Sequence, residues 1–374
     1  MDYTLLFHNL WLWSTMLFCI VQYIKWSNGI SNSILYTQRE ANGMVIYIII
    51  FSLLMGFRMN FNGHWADSYL YVKLYEQVAT TTSPVFQEDW LYDKLQHFFA
   101  TTGFSVDIWF TFCCLLYLGC MYVAVRRLKL CNEWIAMLFC LSAFSFFVCT
   151  YNGVRNGMAC SIVLLAISYL LDKTRRGFII SMIISVMAIG VHKSTALPVL
   201  SMYCAFFLKK DFKWALAWWG LSIVLSLTVG NTIASFVASL GFDDRLAGYV
   251  GTNVADSEFA ELFSHTGFRW DFVLYSVMPI YLAYIVIIKR EIYDKLYIIL
   301  INTYIFSNSF WIMVVNSLNS NRFAYLSWFM YPIVIAYPLL KLEIWPDQNK
   351  KVVQILMLHI GFTFFMDVVY YGII

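Results

Sequence analysis

Apolar blocks about as long as a bilayer crossing, roughly 20 residues, alternate with short polar connections along most of the chain. They predict helices near 4–24, 43–57, 104–125, 132–150, 156–172, 177–191, 195–208, 214–236, 270–288, 295–315, 323–340 and 352–370. The runs at 43–57 and 177–191 are short for a span and need neighbouring helices to cover them. No internal repeat or low-complexity linker interrupts the series. The expectation is one transmembrane domain over 1–374, an all-α polytopic integral membrane bundle of about twelve transmembrane helices. The opening stretch "MDYTLLFHNLWLWSTMLFCIVQYIK" lacks a basic leader and is expected to be a retained first span.

Two connections are long, about 58–103 and 237–269. In "RMNFNGHWADSYLYVKLYEQV" helical spacing puts Trp65, Tyr69 and Val72 on one side, with Asp67 roughly opposite. Glu76 falls back among the apolar positions, so that pattern is imperfect. "FQEDWLYDKLQHFFATTG" gives a cleaner amphipathic helix, with Trp90, Leu91, Leu95 and Phe98 on one side and Asp89 and Asp93 opposite. Both are expected to lie along the bilayer surface. The second connection, polar and without clear periodicity, has the composition of a mobile lid. Its Asp243–Asp244 pair lacks a further ligand, so no metal is assigned.

Composition agrees with the pattern. The 374 residues are 61% hydrophobic and 13% charged, where a soluble domain carries about 25% charged residues. The nine cysteines fall mostly inside apolar runs with no CxxC pair, so they are expected to be small buried hydrophobes. Net charge is +3, which says little, and no nucleic-acid partner is expected.

The placement of charge says more. Alternate connections hold Lys25 and Arg39; Arg126, Arg127 and Lys129; Lys173, Arg175 and Arg176; Lys209, Lys210 and Lys213; Lys289, Arg290 and Lys295; Lys341, Lys350 and Lys351. These loops are expected to be cytoplasmic, with both termini outside. Eight cations resist the bias: Arg58, Lys73, Lys94, Arg155, Lys193, Arg245, Arg269 and Arg322. Arg155, Arg269 and Arg322 open inward-running helices, and His192 and Lys193 precede a Ser194/Thr195 cap signal. A cation at a helix N-terminus opposes the helix dipole, whereas an anion is favoured there. If those helix starts converge, they form a positive pocket at the outer surface that suits phosphate or diphosphate. Snorkelling to lipid head groups is the alternative for each arginine taken singly.

Within the apolar runs His8, His359 and Asp367 stand out, since an ionisable group inside a membrane is a functional candidate by default. Their scarcity still argues against ion-coupled transport and for chemistry at the outer face.

In their order along the chain, five segments resemble the EpsG family of exopolysaccharide and capsule polymerases, related to Wzy-type O-antigen polymerases. They are "GFRMNFNGHWADSYLYVKLY", "FQEDWLYDKLQHFFATTGFS", "YNGVRNGMACSIVLLAISYLLDK", "MAIGVHKSTALPVL" and "NRFAYL", spread over about residues 50–340. One departure is that Gly63 lies four residues before Asp67 rather than beside it. The resemblance implies a GT-C-like, metal-independent glycosyltransferase without a cofactor, sited in the bacterial inner membrane. Its partners would be an undecaprenyl-diphosphate-linked oligosaccharide, membrane lipids and a chain-length regulator. It implies Arg155 and Arg322 as diphosphate clamps, with Arg58 and Arg269 behind them. His192 is either part of the clamp or the base, and Asp67 is the other candidate base, followed by Glu88 and Asp89. Tyr71 and Lys193 complete the expected substrate contacts. A membrane O-acyltransferase and a lipid-linked-oligosaccharide flippase are the competing expectations.

Overall fold

A computed structural model describes residues 3–27, 38–57, 66–80, 89–239, 268–317 and 320–373. Helices α1 Tyr3–Ser27, α2 Gln38–Gly56, α3 Ala66–Thr80, α4 Trp90–Thr101 and α5 Val106–Arg127 come first. Next are α6 Glu133–Leu141, α7 Phe146–Tyr151, α8 Val154–Leu170 and α9 Arg175–Val191. A 3₁₀ turn Lys193–Thr195 leads into α10 Ala196–Leu208, followed by α11 Phe212–Ser239. The last five are α12 Trp270–Ala283, α13 Lys295–Met313, α14 Asn321–Trp328, α15 Tyr331–Lys341 and α16 Gln348–Phe364. Among the described residues there is no strand.

Among the described residues, seven segments are long and apolar enough to cross a membrane: Leu5–Ser27, Val106–Arg127, Phe212–Val237, Trp270–Lys289, Lys295–Met313, Asn321–Lys341 and Gln348–Tyr370. Asn42–Gly56, Val154–Leu170 and Lys193–Leu208 are shorter apolar helices. The protein is thus a polytopic helical membrane protein. The expected span at 132–150 is instead two short helices, α6 and α7, broken at Ser142–Ser145.

That break is held by side chains from far along the chain. A helix end leaves carbonyls without partners, and inside a membrane these must be satisfied internally. Trp11 Nε1 donates to the Leu141 carbonyl at 2.9 Å, Thr363 Oγ1 to Ser142 at 2.7 Å and His359 Nε2 to Phe139 at 3.0 Å. Ser142 Oγ takes the Leu138 carbonyl at 2.6 Å. His359 therefore has a structural partner. His8 and Asp367 likewise pair with each other at 3.1 Å, nearly fully buried, joining the first helix to the turn after α16.

Contacts divide the chain into two compact units, Met1–His192 with Ile335–Ile374, and Lys193–Val334. In the first, α8 packs on α5 and α9, α5 on α2, and α4 on α3, α5 and α9. In the second, α13 is the hub, contacting α10, α11, α12 and α14. Its Asn308 is fully buried, donates to Ser276 Oγ (3.1 Å) and Ser327 Oγ (3.0 Å), and accepts from Trp219 Nε1 (2.8 Å). Trp328 Nε1 also donates to Ser276 Oγ at 2.8 Å, so the helix carrying Arg322 is tied at its far end.

Candidate functional site

The first unit gathers its chemistry where α8 begins and α9 ends. Gly153 is the N-cap of α8, which places Arg155 in the first turn. Gly157, one turn later, lies against the Cys149 carbonyl of α7 so closely that any side chain there would clash. That contact lets the short α7 fold back on α8. Asn152, which caps the C-terminus of α7, accepts the Asp67 backbone N–H through Oδ1 at 3.1 Å and so ties down the start of α3.

Arg155 finds an anion within the chain. Its Nη1 donates to Asp89 Oδ2 at 2.8 Å, with 18% and 5% of the two side chains exposed. His192 Nδ1 lies 3.4 Å from both carboxylate oxygens of Asp89. His192 ends α9 as its C-cap in extended backbone, a position where the helix dipole favours a cation. The buried Asp89 therefore bridges a guanidinium and an imidazole. The rings of Tyr71 and Tyr92 flank the guanidinium, with centroids 5.4 and 5.6 Å away, within cation–π range. Burial pushes the Tyr92 hydroxyl well above its ordinary pKa, so that ring faces the guanidinium as a neutral phenol. Arg155 Nε is buried and makes no hydrogen bond among the described residues.

Helix α4 delivers Asp89, and its orientation corrects the amphipathic reading. Tyr92, Gln96 and Ala100 form the buried side, continuous with Asp89 at helical spacing. Trp90 and Phe98 are exposed at 42% and 56%, while Leu91 and Leu95 are half-buried, so the apolar stripe is only partly exposed. Asp89 belongs to the buried side, not to the polar one. On α3, Tyr71 and Tyr75 are buried while Tyr69 and Leu70 are exposed.

Of the expected site residues, the structure brings Arg155, His192, Asp89 and Tyr71 together, with Asp67 one helical turn before Tyr71. Lys193 follows His192 directly, half-buried in the 3₁₀ turn of the second unit. Thr195 makes no side-chain capping bond to α10, so the expected cap is replaced by that turn. Arg269 and Arg322 belong to the second unit. Arg269 is already held bidentately by Asp271, at 2.9 and 2.6 Å, with its guanidinium 3.9 Å over the Phe272 ring. Arg322 is half-buried in the first turn of α14. Arg58, Glu88, Trp65 and the Asp243–Asp244 pair lie outside the described residues. Tyr92, Asn152 and Asp271 were not anticipated. The spacing Asp89–Tyr92–Gln96 was the available signal for the first of these.

Among the described residues no cluster of three or more His, Cys, Asp or Glu side chains could hold a metal.

The EpsG family profile matches residues 43–373, nearly the whole chain. A polytopic helical membrane protein with this match is of the polysaccharide-polymerase type. The chain belongs to the EpsG family, whose members are Wzy-like polymerases. Neither the curated proteins nor the solved structures compared with it gave a significant match.

Proposed function

We propose that the protein polymerises a bacterial surface polysaccharide at the extracytoplasmic face of the inner membrane. A growing glycan on undecaprenyl diphosphate is transferred to a hydroxyl of the next lipid-linked repeat unit. The observation that carries this reading is the buried Arg155–Asp89–His192 cluster at the start of an apolar helix, beside two helices that expose apolar side chains.

In the reaction the acceptor hydroxyl gives its proton to the base, His192 or Asp67, and its oxygen bonds to the anomeric carbon. The bond from that carbon to the phosphate oxygen breaks, and the electron pair leaves on the diphosphate. Fixed cations at a helix N-terminus stabilise such a leaving group most as charge develops, which is where electrostatic catalysis acts. Arg155 is assigned that role, its guanidinium being 18% exposed in the first turn of α8. Arg58 is assigned as a supporting cation. Tyr71 supports the Arg155 face, while Asp67 is the alternative base to His192, with Glu88 and Asp89 after it. Side chains supply the charge without a metal, and a separate chain-length regulator is the expected protein partner.

The test incubates purified protein with lipid-linked repeat units. Longer glycans on the lipid diphosphate support the reading. Acylated glycan would replace it with an O-acyltransferase, and transbilayer movement without new bonds with a flippase.

A further inference from the structure

A hydrogen bond fixes a guanidinium at one point but leaves its plane free to turn about that bond. Arg155 is joined to Asp89 through Nη1, and its Nε makes no hydrogen bond among the described residues. A planar fork reads phosphate oxygens in pairs only when its plane is held. The freedom that remains must be removed by the walls around it.

Two rings from different helices are in place to do so. Tyr71 of α3 and Tyr92 of α4 have centroids 5.4 and 5.6 Å from the guanidinium carbon, and a cation within about 6 Å of a ring face is attracted to it. Tyr71 also bears on the guanidinium through its hydroxyl. Tyr92 has no room to move. It is 2% exposed, and its ring meets the indole of Trp109 edge-on, with centroids 5.3 Å apart. Trp109 is itself fully buried in α5, a helix long and apolar enough to cross a membrane, and packs among Phe99, Phe112 and Tyr75. The wall beside Arg155 is thus braced by a membrane helix.

The hydroxyl of Tyr92 is not what holds it there. The Trp109 indole lies near that hydroxyl, yet neither polar atom completes a hydrogen bond among the described residues. A buried polar atom without a partner weakens a core. The ring is the part that the site can use.

We propose that Tyr92 is a positioning residue of this site: its ring, braced by Trp109, fixes the plane of the Arg155 guanidinium so that the fork meets the leaving diphosphate. The proposal rests on the polymerase reading given above. It gives Tyr92 no contact with substrate and no part in proton transfer. The electron pair of the breaking bond still departs on the diphosphate, and Tyr92 acts on that step only through Arg155.

Two measurements test it. The first needs no turnover. In ¹⁵N-arginine-labelled protein the Arg155 signals are assigned by their loss in Arg155→Lys. A guanidinium held in place flips slowly about Nε–Cζ and shows two separate Nη resonances, whereas a loose one shows a single averaged resonance. Wild type and Tyr92→Phe should show two, and Tyr92→Leu one. Any other pattern overturns the proposal; should Tyr92→Leu fail to fold, the other two spectra decide. The second is kinetic. Tyr92→Leu should lower kcat about fivefold or more, while KM for the lipid-linked donor stays within about threefold. Tyr92→Phe keeps the ring and should restore at least about a third of the wild-type rate. On top of Arg155→Lys, Tyr92→Leu should cost less than about twofold, since no fork remains to be aimed. A smaller kcat loss in Tyr92→Leu, no such recovery in Tyr92→Phe, or a further loss above about twofold on Arg155→Lys overturns the proposal. Wild-type protein that fails to elongate glycans sinks the polymerase reading instead, and the resonance pattern still judges the role of Tyr92.

Discussion

The indole of Trp90 lies against Gly190 so closely that a Cβ on that glycine would fall 2.6 Å from two ring carbons and 3.0 Å from Leu91 Cβ. This approach seats the N-terminus of α4 on the last turn of α9, two residues before His192. The distance between Asp89 and His192 is set by that packing, because Asp89 immediately precedes Trp90.

Gly190→Ala is therefore expected to push α4 outward and lengthen the Asp89 bridge. A misplacement of about 1 Å can cost on the order of 10²-fold in rate. The prediction is a large loss of glycan elongation with the thermal unfolding midpoint lowered only modestly, compared by parallel activity and unfolding assays. Undiminished elongation would show that this contact does not set the site.

Arg155→Lys keeps the charge and loses the planar fork. Elongation should fall about 10²-fold, by analogy with removal of one donor to a developing oxyanion. Steady-state rates on lipid-linked repeat units check this, and a rate equal to wild type would remove the bidentate clamp.

The intramembrane histidines are expected to behave as structure. His8→Ala strands Asp367 in a buried site, a change that costs about 3–5 kcal/mol in comparable buried pairs. Detergent unfolding should record the loss, while elongation per folded molecule stays unchanged. A selective loss of activity would restore a functional role to the pair.

In the second unit, Asn308→Leu removes two donors and one acceptor at the centre of the α13 hub. A buried polar group left without a partner costs about 1–3 kcal/mol, so the unfolding midpoint should drop measurably. No change would mean that the polar cluster contributes nothing to holding α12, α13 and α14 together.

The membrane helices were legible because a bilayer demands long apolar runs; Arg155 stood out because its position defied the usual charge bias, and His192 because it stands beside Lys193 ahead of a Ser194/Thr195 cap signal. The break between α6 and α7 was not legible. Ser142–Ser145 carries neither Gly nor Pro, and three of the side chains that satisfy it lie 130 to 221 positions away. Asp89 was read onto the polar side of its helix because Trp90, Leu91, Leu95 and Phe98 make the stronger apolar stripe. That stripe is partly exposed and partly packed on α9, so apolar spacing alone does not mark the buried side of this helix. Arg269 was singled out as an outer cation, but its pairing with Asp271 two residues later went unnoticed in "FRWD".

The most direct measurement is a structure of the protein with an undecaprenyl diphosphate-linked sugar bound. The account predicts diphosphate oxygens within hydrogen-bond distance of the Arg155 guanidinium and the sugar's reacting carbon on the His192 side of that cluster. Diphosphate bound away from Arg155, with the Asp89 bridge untouched, would contradict it.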